Sequence, residues 1–242
     1  MHLRRCGLLV AGLVGGLLTG CGTVLDPGVA GSGRIVEAEP PVDELTGLQV
    51  GSAFDVSLTP GPEPAVLIRA DDNVIDMVTA EVTGGVLRIG LDGRARNATL
   101  EAEVTVPPDG LASIDLDGAA TATATDPVTD DSVEITADGA SRAFLVVSAQ
   151  EVTVKANGAS TVNLTGEAGE LTASADGAST IAVVELPVTT AEVDAGGAST
   201  VELTVTGELT ARAGGASTIR YSGSPDEVDK QTGGASTISP AD

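Results

Sequence analysis

Apolar and polar residues change places at almost every step in the second half of this chain. Val133, Ile135 and Ala137 form one apolar set, followed by Val152/Val154/Ala156, Leu171/Ala173/Ala175, Ala191/Val193/Ala195 and Leu209/Ala211/Ala213. Between them stand Glu134, Thr153, Lys155, Thr172, Ser174, Glu192, Asp194, Thr210 and Arg212. A period of two belongs to a strand with one buried face, so the apolar columns predict strands with every second side chain turned inward. After a short glycine phrase the alternation resumes, with Val162/Leu164, Ile181/Val183 and Val201/Leu203 inward.

That phrase recurs seven times, as Gly118-Ala119-Ala120 and then as Gly-Ala-Ser beginning at Gly139, Gly158, Gly177, Gly197, Gly215 and Gly234, with glycine spacings of 21, 19, 19, 20, 18 and 19 residues. A fixed period near 20 is the mark of a stacked array whose single coil cannot bury its own apolar side. The expectation is an all-β fold: a right-handed parallel β-helix, or β-solenoid, of about 19 residues per coil. Seven coils at the strand-pairing distance of about 4.8 Å make a rod on the order of 30 Å long. Asp117, Asp138, Asn157 and Asp176 precede the first four glycines of the repeat, and Gly196, Gly214 and Gly233 the last three, all types that tolerate or satisfy a tight turn. The serines fall in register, where their hydroxyls can bond to the neighbouring turn. Ala120 replaces serine as a terminal coil would, and Lys230 in the column of Val193 and Ala211 marks an open last coil.

Upstream, residues 34–110 alternate without the phrase, at Leu48-Gln49-Val50, Phe54 to Leu58, Val66 to Ile68, Val86 to Ile89 and Leu100 to Val106. Turn signals such as Pro60-Gly61-Pro62, Gly84-Gly85 and Pro107-Pro108 separate them. Asn73 to Val82 reads as a strand in preference to a short helix. The N-terminus, with His2, Arg4 and Arg5 before an apolar run from Leu8 to Leu18, reads as a signal peptide over residues 1–20. Leu18-Thr19-Gly20-Cys21 resembles a lipobox, making Cys21 the acylated residue, palmitate being the expected kind of chain, and residues 21–33 a lipidated tether. Residues 111–238 are the repeat domain.

Composition narrows the functions. Cleavage before Cys21 leaves 222 residues with 10 basic and 35 acidic side chains, so nucleic acid is excluded as a partner and the membrane is reached through the lipid alone. His2, the single histidine, leaves with the signal, and with it histidine catalysis and histidine-ligated zinc. Phe54, Phe144 and Tyr221 are the whole aromatic inventory, too few for a deep glycan cleft. No cofactor is expected.

At this point the chain resembles the family called putative auto-transporter adhesin, head GIN domain. The likeness rests on Leu48 to Leu58, Gly85 to Ile89, the Val104-Thr105-Val106-Pro107 step and the repeated Asp-Gly-Ala-Ser phrase, and covers roughly residues 35–238. It implies a β-helix-like protein of bacterial envelopes with an adhesive role, and supplies no catalytic residues. Arg142 departs from the repeat, standing where other copies have threonine.

Three kinds of chemistry compete with bland readings. Thr121, Thr161, Thr180, Thr200, Thr218 and Thr237 form an outward stripe, but Thr123, Asn163, Ala182, Glu202, Arg220 and Ser239 beside it are no second threonine rank, which argues against ice binding. Asp117 and Asp138 on adjacent coils suggest a calcium ladder, but one carboxylate per coil, interrupted by Asn157, suits turns better. Arg69, Arg88, Arg142, Arg212 and Arg220 with Asp71-Asp72 and Asp130-Asp131 are the material for a carboxylate-dependent polysaccharide enzyme, without periodic clustering of acid and base. The expectation is a non-catalytic, lipid-anchored, extracytoplasmic protein of the cell membrane whose side surface binds an envelope or cell-surface component. The alternative is a structural lipoprotein that assembles with itself or a membrane partner through its open end; the ligand, the metal content of the acidic surface and the oligomeric state stay open.

Overall fold

A computed structural model describes residues 28–108 and 110–241. The signal segment, Cys21 and the first part of the tether lie outside the described residues. In chain order the strands are β1 (Val29–Ala30), β2 (Ile35–Ala38), β3 (Gly47–Val50), β4 (Asp55–Pro60), β5 (Ala65–Asp71), β6 (Val78–Thr83), β7 (Val86–Leu91), β8 (Ala95–Arg96), β9 (Leu100–Val106) and β10 (Ser113–Leu116). They continue as β11 (Thr121–Thr129), β12 (Ser132–Ala137), β13 (Arg142–Ala156), β14 (Thr161–Ala175), β15 (Thr180–Ala195), β16 (Thr200–Ala213), β17 (Thr218–Ser222), β18 (Glu227–Thr232) and β19 (Thr237–Pro240). The fold is all-β, a solenoid of about seven coils of some 19 residues.

The alternation works as expected. Val133, Ile135, Ala137, Val162, Leu164, Ile181, Val183, Val201, Leu203 and Ala211 are each fully buried, and the intervening residues face out. Pairing between β12 and β19 is parallel and carries the period directly: Val152 pairs with Leu171, Leu171 with Ala191 and Ala191 with Leu209. The long strands β13 to β16 each run along one sheet of the solenoid, bend, and return along the other. Gly166 sits at such a bend, where a Cβ would lie 2.1 Å from the Val147 carbonyl oxygen.

The glycine phrase makes the opposite corner. All seven glycines adopt positive φ, between 62° and 74° or slightly above (76° at Gly177), and each following alanine N–H donates to the corresponding carbonyl one coil back, as Ala159 does to Gly139 at 2.7 Å. A Cβ on Gly158 would lie 2.6 Å from the Gly139 oxygen, so glycine is required twice over: for its backbone angle and for the close approach of the next coil.

Three expectations change. The solenoid does not start at Ala120. The coil formed by β3 and β4 lies beneath β10 and β11, and below it β7 and β9 form another parallel layer. Ser52 holds the position of the turn glycine at φ 66°, and the buried Phe54 holds the place of the repeat serine, so Ala120 sits next to a phenyl ring's coil where a small side chain is needed. The far end is closed by β5 and β6, which run antiparallel to β9 and β7, with β2 antiparallel on β5. Asn73 to Val82 is not one strand: Ile75–Met77 forms a 3-10 turn around the buried Val74, because the chain must change sheets there, and β6 begins only at Val78. Residues 28–33, expected within the tether, instead lie on the body. β1 pairs with β8, and Asp71 accepts from Gly33 and Thr99 N–H groups, while Asn73 donates to the Ala30 carbonyl at 2.8 Å and accepts from Ser32 N–H. These polar clasps have no hydrophobic period to announce them.

Candidate interaction faces

Two broad outer faces flank the core. The first carries the outward residues of β3, β10, β12, the second halves of β13 to β16, and β18. It is rich in acid: Glu151 pairs with Glu170 and Glu208 with Glu227 in adjacent coils, and Asp115, Glu134, Glu192, Asp194 and Asp229 stand nearby. Lys155 bonds Glu134 at 2.6 Å, and Arg212 bonds Glu192 at 2.7 Å with Asp194 at 3.8 Å. Arg212 is held protonated more firmly than usual by its hydrogen bond to Glu192 and then by the charge of Asp194. Asp115 has its pKa raised, first by partial burial and then by the charges of Asp138, Asp117 and Glu134.

Along the edge of this face the turn aspartates are occupied by the turns. Asp117 and Asp176 accept from the N–H groups of Gly118 and Gly177, at 2.6 and 2.7 Å, and the Asn157 amide donates to Asp138 at 2.8 Å. Asn157 thus bonds the acid it interrupts. No three acidic, histidine or cysteine side chains converge on a metal-sized point among the described residues. Just inside, the serine hydroxyls bond one coil back: Ser141 to Leu116, Ser179 to Ala156, Ser199 to Ala175, Ser217 to Ala195 and Ser236 to Ala213. Ser160 is equally buried and its hydroxyl has no partner.

The second face carries β4, β11, the first halves of β13 to β16, β17 and β19. Its threonine column is continuous from Thr161 through Thr180, Thr200 and Thr218 to Thr237, and Arg142 interrupts it between Thr121 and Thr161. The rank beside it runs Thr123, Phe144, Asn163, Ala182, Glu202, Arg220, Ser239. Glu202 is paired with Arg220 at 3.1 Å, so from β11 to the start of β15 these outward positions hold no acid. Phe144 and Val184 stand 43% and 45% exposed on it. Nothing in the alternation pattern distinguished Phe144 from a core residue except its phase, which places it with the outward set.

The arginines considered for catalysis are dispersed. Arg69 binds Glu37 and Glu103 at 3.0 and 3.2 Å, which raises its pKa, Arg88 bonds Gln49, and Arg142 has no ion pair among the described residues. Asp71 is buried and spent on backbone amides, whereas Asp72 pairs with Arg34 and Ser32. The hydrogen bond from Ser32, then Arg34, lowers the Asp72 pKa. Asp130 accepts weakly from Ser132 N–H in its turn, on a different coil from Asp71 and Asp72. At the bend opposite the glycine corner, Pro60, Pro107, Pro108 and Pro127 line an apolar cleft of about 200 Å³.

This arrangement, shallow faces on a stack of glycine-cornered coils, can be compared with known proteins. The family model described as "Putative auto-transporter adhesin, head GIN domain" matches residues 44–225. The chain belongs to that family. Among solved structures, a putative adhesin from Bacteroides fragilis is similar with a TM-score of 0.82 and 20% identity, over 88% of this chain and 100% of that one. A putative adhesin from Parabacteroides merdae aligns with a TM-score of 0.64 and 19% identity, over 88% and 99% of the two chains. A Parabacteroides distasonis structure described as a putative lipid binding protein gives 0.67 and 16%, over 88% and 99%. At these identities the likeness is one of fold. No curated protein matches in sequence. Membership in an adhesin family agrees with a surface or envelope protein, and no described helix is long and apolar enough to cross a membrane.

Proposed function

We propose that this head GIN domain protein is a lipid-anchored, extracytoplasmic binding protein of the cell envelope that acts without catalysis. The observation that carries this reading is the form of its surface. Outward side chains repeat in register over the whole stack, which offers extended, shallow contact along the side of the rod. Acylation at Cys21 would hold the body at the membrane, and the clasp by Asp71 and Asn73 brings the chain onto the closed end of the solenoid at residues 28–33. Only six residues, 22–27, separate Cys21 from Gly28, a span of at most about 25 Å. The closed end therefore faces the anchor, and β18 and β19 point away.

The test is saturable binding of residues 22–242 to isolated envelope fractions and to intact cells, with and without calcium. Saturable binding in either condition supports the reading, and calcium dependence would assign a cation to the acidic face. A folded protein that binds neither fraction would favour the structural alternative. The observation behind that alternative is the last coil, where β18 and β19 are exposed and Lys230 reaches the Tyr221 hydroxyl at 2.7 Å at the open end.

A further inference from the structure

We infer that the threonine face is a self-docking surface, which pairs two copies of this chain about a two-fold axis at Asn163. Each copy carries a formal charge of −23 before processing, and like-charged neighbours such as Glu151/Glu170 and Glu208/Glu227 stand on the opposite face. Screening extends over about 8 Å at physiological salt, so the copies approach with least repulsion through the two outward ranks that hold no acid from Thr121 and Thr123 to Thr180 and Ala182.

The register supplies the complement. Phe144 is the large apolar side chain of its rank, and Ala182, two coils further on, is the smallest, standing between Asn163 and Glu202. Asn163 lies midway. Rotation by 180° about the strand direction through Asn163 therefore places each Phe144 on the partner copy's Ala182, beside the exposed Val184. The same rotation carries Arg220, three coils to one side of Asn163, over the partner copy's Ser57, three coils to the other side, with its guanidinium already held by Glu202 of its own copy. Apolar knob and small socket are satisfied by one operation, as an isologous interface requires.

Seven coils at about 4.8 Å and five residues at about 3.3 Å give roughly 500 Å² a side. About 1,000 Å² in total is the lower limit for a specific interface, so the pairing is weak in dilute solution. Tethering at a membrane would favour it by confining both copies.

Residues 22–242 hold every described strand and the core, and contain no cysteine, since Cys6 and Cys21 both precede them. Sedimentation of this protein should show a monomer–dimer equilibrium that F144D weakens at least tenfold, with the thermal melt little changed because Phe144 faces outward and is 43% exposed. Spin labels report the axis. Labels at N163C should lie closest together in the dimer, whereas labels at S239C, four coils away, should sit about 40 Å apart along the rod. A protein that remains monomeric to about 1 mM overturns the inference. So does a dimer indifferent to F144D, or one whose labels at S239C are closer than those at N163C, which would place the contact at the open end. Envelope binding that survives F144D leaves the proposed function standing whichever way this result falls.

Discussion

At the scale of single residues, identical letters in the repeat do different work. The hydroxyls of Ser141, Ser179, Ser199, Ser217 and Ser236 each reach a carbonyl one coil back, and that of Ser160 does not. Ser179→Ala should cost about 1 kcal/mol in chemical denaturation, and Ser160→Ala should be neutral or slightly stabilising because it removes an unpaired buried hydroxyl. Equal losses would contradict the assignment. Gly158→Ala should cost roughly 3 kcal/mol, from a left-handed backbone and a clash with the Gly139 oxygen, whereas Gly214→Ala, with open space at its Cβ position, should cost little. Two carboxylates should answer pH in opposite senses. Asp115 has a raised pKa, so its share of stability is complete below the ordinary carboxylate range and is lost as pH rises through the raised value; Asp115→Asn should raise Tm at pH 7 and have no effect in acid. Asp72 has a lowered pKa, so its stabilisation is present above the ordinary range and disappears as pH falls through the lowered value; Asp72→Asn should lower Tm at pH 7 and converge with the parent in acid.

At the scale of elements, the coil is set by alternation, and that is why so much of it was readable. Ala173→Glu would place a charge in a column whose members are buried on both sides and should destabilise by several kcal/mol, whereas Thr161→Ala on the outer face should stay within about 0.5 kcal/mol. Thermal melts that tolerate both equally would refute the inward phase. Legibility ended where period two ended. The antiparallel pairing of β5 with β9 joins residues 30 to 40 apart, unlike the local hairpin of β6 and β7, and the chain around Val74 is a turn because it crosses between sheets, which no local pattern states. The docking of residues 28–33 rests on Asp71 and Asn73, side chains that read locally as turn formers. The faces were legible as outward columns, but the removal of acid from one of them became visible only when register placed Arg142, Phe144, Asn163 and Ala182 side by side.

At the scale of the molecule, the clasped N-terminal segment lies at the closed end of the stack and β19 at the other, with the coil-to-coil hydrogen bonds running along the line between them. Those bonds, the ion pairs such as Lys155 with Glu134, and the stacked core join one coil to the next, and the chain's own winding is the covalent connection. A load applied between the two ends of the stack therefore pulls on one coil's bonds at a time, as in opening a zip, and never on all of them in shear. Single-molecule stretching from the two ends should give a sawtooth whose steps each release about 19 residues, roughly 60 Å of chain, and not one large rip. A stack built this way is a shock absorber: under a sudden tug it lengthens coil by coil from its tip, dissipating energy while the clasped base stays folded.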